Sequence, residues 1–465
     1  PSTVYAYNAD KQLTQVSRPD GQTVSFAYDS AGRLSALTTP TGAYDYGYNG
    51  AGQLAGIAAP DGNLAYSYSG ALLTQTAWTG AVAGAVGFAY DNDFRLTSVS
   101  VNGGNPVAYQ YDPDSLLIQA GDLTLSRDPQ NGLLTGTSLG GVGDSLSYNG
   151  FGEVANYSAA HNGAAFFATQ YTRDALGRIT EKRETVQGAT DTYAYGYDPA
   201  GRLVQVSKNG AIQSSYSYDA NGNRLSKTAG GSTVNGAYDA QDRLTQYGGT
   251  TYAYTANGEL TGKTAGAQTT AYQYDVLGNL RRVTLPGGTA IEYLIDGANR
   301  RVGKKVGGAL VQGFLYQDGL KPVAELDGNG QIVGRFVYAT GVNVPDYMVR
   351  GGAIYRIVKD HLGSPRLMVD TSTGNVLQRM DYDEFGNVLN DTNPGFQPFG
   401  FAGGLYDRDT RLVRFGARDY DAETGRWTAK DPILFGGGDA NLYDYTSTDP
   451  VNSNDEEGLA SLSFS

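Results

Sequence analysis

The chain has 465 residues and a formal net charge of −13, and it contains 65 glycines, 35 tyrosines and no cysteine. The excess of negative charge argues against nucleic acid as a partner of the outer surface, because binding to phosphates needs basic patches. The lack of cysteine excludes disulfides and thiolate metal sites. No apolar run reaches the roughly 18 residues that would predict a transmembrane segment.

A motif of the form Tyr-Asp-x-x-Gly-x-Leu recurs about every 20 residues from the beginning of the chain. Complete copies begin at Tyr28, Tyr197 and Tyr274, and weaker copies begin at Tyr7, Tyr48, Tyr90, Tyr111, Tyr148, Tyr218, Tyr238 and Tyr254. A short fixed period indicates one supersecondary unit repeated side by side, in which each copy buries its apolar face against its neighbours.

Each repeat has the pattern of a β-hairpin. Two tyrosines at positions i and i+2, such as Tyr216 and Tyr218, place their rings on one face of a strand. The aspartate that follows accepts backbone hydrogen bonds in a turn, and the glycine supplies a positive φ. We therefore predict an all-β fold of stacked hairpins that form a long, curling antiparallel sheet, with tyrosine ladders as cross-strand pairs. No sustained i, i+3, i+4 apolar period is present, so little helix is expected.

The chain divides into two parts by its motifs. Residues 1–305 carry the repeat, which becomes irregular where Arg127 and Arg173 replace the motif tyrosine. Residues 306–465 lose the period, but no Pro/Ser-rich linker separates the parts, so we expect one continuous body. The sequence begins in mid-pattern at Pro1 without Met, and we expect it to be a processed product or an excerpt of a longer protein.

The second part contains ordered motifs that point to a known family. They are DHLGSPR at 360–366, RDYDAETGRW at 418–427, NLYDY at 441–445 and DEEGL at 455–459. Together with the repeat, they resemble the core of bacterial Rhs proteins, which share the YD repeat with insecticidal toxin complex C subunits and animal teneurins. The resemblance covers essentially the whole chain.

The resemblance implies a hollow β-shell, or cocoon, in which the YD strands spiral and the Rhs core plugs one end. It implies that the shell encapsulates a C-terminal toxin polypeptide and that an N-terminal delivery domain or a secretion-system component is a further partner. It also implies a protein that is secreted or delivered by a bacterial secretion system, as effectors of interbacterial competition are. No cofactor and no metal ion are implied.

The resemblance further implies autoproteolysis by an aspartyl protease site that cuts after the leucine of a DPxGL sequence. Carried onto this chain, the catalytic pair is Asp431 and Asp444, and the cut falls between Leu459 and Ala460. The supporting residues are Lys430, Asp455 and Gly458. Peptide hydrolysis without metal or thiol can use two carboxyl groups around one water, one ionised as base and one protonated as acid. Glu456 stands where the family has proline, and this change frees φ and restores an amide donor.

Other interpretations of the same residues stay open. From spacing alone, a turn cap at Asp431 and a solvated strand residue at Asp444 are simpler than catalysis, and only the resemblance reverses that preference. His361 in DHLG is interpreted as structural rather than catalytic, and His161 in AAHNGAA as a residue of a surface loop. The tyrosine faces could instead stack on sugars, so a non-enzymatic adhesion or carbohydrate-binding module is the alternative function.

Overall fold

The structure is a computed structural model that describes residues 2–459 and 462–463. Within these residues, the regular elements are β-strands and three short 3-10 helices. Strands β1 to β38 pair antiparallel in sequence order and form one 38-stranded sheet. The predicted all-β fold of stacked hairpins is therefore confirmed, and none of the described helices is long and apolar enough to cross a membrane.

The bounds of the sheet strands are as follows. Strands β1 to β13 are Val4–Tyr7, Leu13–Ser17, Thr23–Tyr28, Leu34–Thr39, Gly42–Tyr48, Leu54–Ala58, Gly62–Ser69, Leu72–Gly80, Gly84–Tyr90, Leu96–Val101, Gly104–Tyr111, Leu117–Ala120 and Leu123–Arg127. Strands β14 to β26 are Leu134–Leu139, Val142–Tyr148, Val154–His161, Ala164–Arg173, Ile179–Val186, Ala189–Tyr197, Leu203–Lys208, Ala211–Tyr218, Arg224–Ala229, Ser232–Tyr238, Leu244–Tyr247, Thr250–Tyr254 and Leu260–Ala265. Strands β27 to β38 are Gln268–Tyr274, Leu280–Thr284, Ala290–Ile295, Arg301–Val306, Ala309–Tyr316, Pro322–Asp327, Ile332–Val337, Tyr347–Arg350, Ala353–Lys359, Pro365–Asp370, Val376–Tyr382 and Val388–Asp391.

The aspartate of the motif organises the turn of each hairpin. Asp29 Oδ1 accepts the backbone N–H groups of Ala31 and Arg33 at 2.9 and 3.0 Å, and Asp29 Oδ2 accepts Nε of Arg33 at 2.8 Å. The Arg33 guanidinium then lies over the ring of Tyr48 in the next repeat, 4.2 Å from its centroid. The same contact with the next motif tyrosine is made by Arg95, Arg178, Arg202 and Arg300. These turns are thus held by hydrogen bonds within the turn and by a cation–π contact with the next repeat.

The second tyrosine of most motifs is bonded to the preceding repeat. The Tyr218 hydroxyl donates to the Leu203 carbonyl oxygen at 2.7 Å. The corresponding bond is made by Tyr28, Tyr48, Tyr68, Tyr90, Tyr111, Tyr148 and Tyr197. In an irregular repeat, Arg173 replaces the tyrosine and its Nη1 donates to the Val154 carbonyl oxygen at 2.7 Å. The interaction that recurs between repeats is therefore a side chain bonded to backbone.

The sequence analysis predicted that tyrosine rings pair across neighbouring strands, and this is wrong for most of the repeat tyrosines. Among the motif tyrosines that the structure describes, the stacked pair is Tyr216 with Tyr218, within one strand, at a centroid distance of 6.5 Å. A bulge shifts the strand register before the second tyrosine, as it does between Ser217 and Tyr218. The ring of the second tyrosine is consequently offset from the rings of neighbouring repeats. An arginine guanidinium lies over it instead.

The sheet coils so that its later strands cover its earlier ones. Arg18 Nη1 donates to the carbonyl oxygen of Val276 at 2.6 Å, across 258 positions of sequence. Lys227 Nζ donates to Asp383 Oδ2 at 3.0 Å across only 156 positions. The sequence separation between strands that meet therefore falls along the chain, from 258 to 156 positions in these two contacts.

The chain after Asp391 forms a smaller unit, the plug, which packs against the sheet. It contains β39 (Leu405–Asp407), β40 (Leu412–Phe415), β41 (Arg418–Asp421) and β42 (Arg426–Trp427), the 3-10 helices Phe401–Gly403, Leu434–Gly437 and Thr446–Thr448, and β43 (Ser453–Asn454), which pairs with β44 (Leu462–Ser463). The centre of the plug is a cluster of four rings with centroids 4.4 to 6.3 Å apart, formed by Phe415, Tyr420, Trp427 and Tyr445.

The sheet itself runs through residue 305 without a break and ends at Asp391. The division into 1–305 and 306–465 stays a prediction based on motif content.

Candidate self-cleavage site

The predicted cleavage sequence lies at the tip of a hairpin in the plug. Strand β43 precedes it and β44 follows it, with Asn454 opposite Leu462. Gly458 has a φ of 67°, and a Cβ at this position would lie 2.6 Å from the Phe415 carbonyl oxygen. Only glycine fits this close approach at a left-handed φ. Ala460, the residue after the predicted cut, lies outside the described residues.

Hydrogen bonds on both sides of Gly458 hold the loop in place. Asp455 Oδ1 accepts the backbone N–H of Leu459 at 3.0 Å, and the backbone N–H of Ala417 donates to the Glu457 carbonyl oxygen at 2.8 Å. Glu456, which replaces the family's proline, is only 7% exposed, and burial raises the pKa of its carboxyl group. The loop before the predicted cut is thus fixed to the plug at several consecutive residues.

Asp431 is buried directly beside this loop. Its Oδ1 accepts the backbone N–H of Ile433 at 2.8 Å, and its Oδ2 lies 2.9 Å from Nη2 of Arg418. Burial raises the pKa of the Asp431 carboxyl group, while the Arg418 guanidinium acts in the opposite direction. Arg418 therefore favours the ionised form of a carboxyl group whose ionisation burial disfavours.

The predicted scissile carbonyl and the Asp431 carboxyl group both lie next to Gly437. The position that a Cβ on Gly437 would occupy lies 2.9 Å from the Leu459 carbonyl oxygen and 3.2 Å from Asp431 Oδ2. Any side chain at position 437 would enter the space between the two groups. The structure thus brings the predicted base and the predicted scissile residue together.

Asp444 lines the same small cavity as Asp431, and the volume of this cavity is about 30 Å³. A space of this size admits at least one water molecule. Burial raises the pKa of Asp444 well above its usual value, the nearby Asp439 carboxylate adds to this effect, and Arg426 opposes it. The two aspartates therefore share a cavity, but a carboxylate adds to the rise in pKa at Asp444, whereas the ionisable neighbour that shifts the pKa of Asp431 is a cation. Environments that move two pKa values apart are what an acid–base pair needs.

Lys430 is not among the residues that line this cavity. Its Nζ donates to Asn257 Oδ1 at 3.2 Å, and burial lowers the pKa of its ammonium group. The cation that contacts Asp431 is Arg418 instead, which the sequence analysis did not single out. The signal available in the sequence was the positive charge of Arg418 at the start of the RDYD segment. In the structure this segment is β41, and all four of its residues are buried.

The two histidines lie away from the cavity. His361 Nε2 is 2.7 Å from the Val451 carbonyl oxygen, and burial lowers the pKa of the ring. His161 ends strand β16, and its ring packs so closely on Gly141 and Gly374 that a Cβ on either would lie within 2.6 Å of it. The loop predicted for His161 is therefore wrong, because this residue ends a strand and its side chain is partly buried. Among the described residues, no group of three or more His, Asp or Glu side chains is arranged to hold a metal ion.

Comparison with known proteins identifies the family. The model of the teneurin YD-shell matches residues 2–451. The chain belongs to the teneurin YD-shell family. Teneurin-4 of Mus musculus is 29% identical over 397 residues, which cover 81% of this chain and 14% of that protein. Teneurin-m of Drosophila melanogaster is 23% identical over 413 residues, with 79% and 14% covered. The chain thus spans about a seventh of the length of the curated relatives it matches.

Solved YD shells have the same fold. A crystal structure of TcdB2-TccC3 superposes with a TM-score of 0.82 at 17% identity, covering 98% of this chain and 28% of that chain. The Tc holotoxin pore of Photorhabdus luminescens gives a TM-score of 0.78 at 15% identity, covering 99% and 27%. These findings confirm the resemblance to YD-repeat shells and the cocoon fold.

Proposed function

We propose that this chain is the container of a toxin protein, which encapsulates a C-terminal polypeptide and frees it from the chain by cutting itself after Leu459. The observation that carries the proposal is that the Leu459 carbonyl oxygen and Asp431 Oδ2 both lie next to Gly437, at a cavity that Asp431 and Asp444 line together. The hollow fold and its likeness to shells of Tc toxins support encapsulation. Secretion, or delivery by a bacterial secretion system through a partner domain, belongs to the same proposal.

The proposed reaction splits one water across the peptide bond between Leu459 and Ala460. Asp431 is ionised and takes a proton from the water, whose oxygen attacks the carbonyl carbon of Leu459. Asp444 is protonated and donates its proton to the amide nitrogen of Ala460 as the C–N bond breaks. The products are a new carboxyl group on Leu459 and a new amino group on Ala460, and a proton exchange with solvent restores both aspartates.

Intact-mass spectrometry of the purified chain tests the cut, because cleavage after Leu459 removes the last six residues. We expect that loss in the natural sequence and its absence in both Asp431→Asn and Asp444→Asn. Asparagine keeps the size of aspartate but serves as neither acid nor base. Asp409→Asn is the control, because Asp409 is 37% exposed and pairs with Lys304 away from the cavity. Full cleavage in both cavity variants would remove the protease assignment.

Encapsulation is tested by appending a folded reporter polypeptide after Ser465. We expect the reporter to remain with the shell after the cut and to resist an added protease that digests the free reporter. Rapid digestion of the reporter in the intact, folded shell would contradict encapsulation.

A non-enzymatic adhesion or carbohydrate-binding module is the second candidate, favoured by the match to teneurin YD-shells. A chain that keeps its full mass and binds a glycan array through its tyrosine faces would support this function instead. A chain that loses its last six residues in an Asp431-dependent way would support the container.

A further inference from the structure

One guanidinium group connects the proposed catalytic aspartate to the loop that is to be cut. Arg418 is 4% exposed, and its guanidinium carbon lies 4.2 Å from the centre of the Trp427 ring. Nη2 of Arg418 lies 2.9 Å from Asp431 Oδ2 and 3.1 Å from Asp455 Oδ2. These two carboxylates come from different segments, one beside the predicted scissile bond and one at the start of the loop that contains it.

The same side chain also holds the backbone of the loop. Nε of Arg418 donates to the carbonyl oxygen of Gly458, the residue before Leu459. Its Nη1 donates to the Leu442 carbonyl oxygen at 3.3 Å, and the Leu442 carbonyl oxygen also accepts the backbone N–H of Asp431 at 2.9 Å. A planar guanidinium has five donors in a fixed geometry, so it bridges these groups in one orientation, which the compact ammonium group of lysine cannot do.

We propose that Arg418 is a positioning residue for self-cleavage, which fixes the Leu459 carbonyl group against Asp431 by holding Asp431, Asp455 and Gly458 together. This inference rests on the proposed function. Lys430, which the sequence analysis named as a supporting residue, bonds to Asn257 instead.

The charge of Arg418 has a second consequence at the same site. The ionisable groups around Asp431 are Arg418 on β41, Asp455 in the loop, and Asp439 and Asp444 across the cavity. Arg418 is the cation among them that lowers the pKa of Asp431. Its removal should raise the pKa of Asp431, so that the base becomes ionised, and cleavage begins, only at higher pH.

The test compares Arg418→Gln and Arg418→Lys by the first-order rate of loss of the last six residues, measured over a pH series. We expect Arg418→Gln to cleave about 100-fold more slowly, as expected when reacting groups lose their alignment, and its acid limb to lie at higher pH. Arg418→Lys keeps the positive charge but loses the planar guanidinium group with its five donors. It should therefore cleave slowly with an acid limb close to that of the natural sequence.

Arg414→Gln is the matched control. Arg414 is also 4% exposed and buried in the plug, but it pairs with Asp419 at 3.1 Å and with Asn279 at 2.9 Å rather than with the loop. We expect Arg414→Gln to lower the thermal midpoint without moving the acid limb of the cleavage profile. A general loss of stability would affect both arginine variants alike and leave both pH profiles in place.

The outcomes separate this inference from the proposed function. If the natural chain does not cleave, or cleaves equally well as Asp431→Asn, both are overturned. If cleavage depends on Asp431 but Arg418→Gln cleaves at the natural rate with an unmoved acid limb, only the role of Arg418 is overturned. If Arg418→Gln does not fold, the decision passes to Arg418→Lys, and a natural cleavage rate in that variant overturns the role.

Discussion

The two proposed catalytic aspartates differ in the charge of the ionisable neighbour that affects the pKa of each most. Burial raises the pKa of both carboxyl groups, but Arg418 opposes that rise at Asp431, whereas Asp439 adds to it at Asp444. Asp444 is therefore the carboxyl group that keeps its proton as the pH rises, and Asp431 is the one that loses it first. This difference assigns the acid to Asp444 and the base to Asp431.

Replacing Asp439 should move the pH profile of cleavage. Asp439→Asn removes the carboxylate that raises the pKa of Asp444, so Asp444 should lose its proton at lower pH. Because the acid must be protonated, the fall in cleavage rate on the alkaline side should move to lower pH. Rates measured by intact-mass spectrometry across a pH series check this. An alkaline limb that stays in place would show that Asp444 is not the acid.

Glu456→Pro tests how the loop is presented. Proline fixes φ near −65°, so we expect cleavage to stay intact or become faster. Glu456→Ala is the control, because it removes the buried carboxyl group, which accepts a bond from Asn454 Nδ2 at 3.3 Å, without fixing φ. A loss of cleavage with proline but not with alanine would show that the backbone at 456 needs its amide or another φ.

The sequence predicted the two aspartates proposed for this site but not Arg418, which connects Asp431 to the loop. Asp431 and Asp444 were found because they stand in recognisable motifs. Arg418 was missed because it acts on Asp455, 37 residues away, through a fold that spacing does not reveal. Lys430 was favoured because it is adjacent to Asp431 in sequence, but in the fold its side chain bonds to Asn257.

At the scale of the hairpin, the repeat predicted the elements well and their bonding poorly. The period placed the strands, and the Asp and Gly positions placed the turns, because both depend on neighbouring residues. The hydroxyl bond from Tyr218 to the Leu203 carbonyl oxygen joins residues 15 positions apart, and its geometry depends on a bulge. A pattern of residue types contains no information on such an offset, so the predicted ring stacking was wrong.

Truncating a ladder tyrosine should destabilise the array according to its burial. Tyr272 is 6% exposed, and Tyr272→Ala should lower the free energy of unfolding by about 3–5 kcal/mol. Tyr5→Ala is the control, because Tyr5 in β1 is 50% exposed and should change stability by about 0.5 kcal/mol or less. Denaturant unfolding measures both. Equal stability of the two variants would show that the Tyr272 ring is not part of the core and would favour a sugar-stacking face.

Ion pairs hold the whole coil together where its turns meet. Arg366 Nη1 bonds to Glu184 Oε2, across 182 positions of sequence, and Arg356 Nη2 bonds to Asp144 Oδ2 at 2.6 Å across 212 positions. All four residues have nearly complete burial of their side chains. The repeat predicts that hairpins follow one another, but it does not say which repeats meet after one turn. The pairs of repeats that meet after one turn of the coil therefore could not be predicted from the motif.

The pair of Glu184 and Arg366 gives a measurable test of how these turns are joined. Burial alone would raise the pKa of Glu184, but Lys182 and Arg366 outweigh burial and lower the pKa to about 2. A carboxyl group with a lowered pKa in the folded state stabilises that state fully above its unfolded pKa, and this contribution is lost as pH falls. The contribution of Glu184 should therefore be complete above its ordinary pKa of 4.5 and disappear as pH falls towards 2.

Glu184→Gln should consequently lower the free energy of unfolding at neutral pH by about 3 kcal/mol, because it leaves a buried guanidinium without one of its partners. The deficit relative to the natural chain should shrink as pH falls from 4.5 towards 2, since the natural chain loses the same interaction over that window. Glu181→Gln is the matched control, because Glu181 lies on the same strand but on its exposed face. Unfolding midpoints of the three proteins across the acid range measure the effect. A constant difference between Glu184→Gln and the natural chain down to pH 2 would show that this ion pair does not join the turns of the shell.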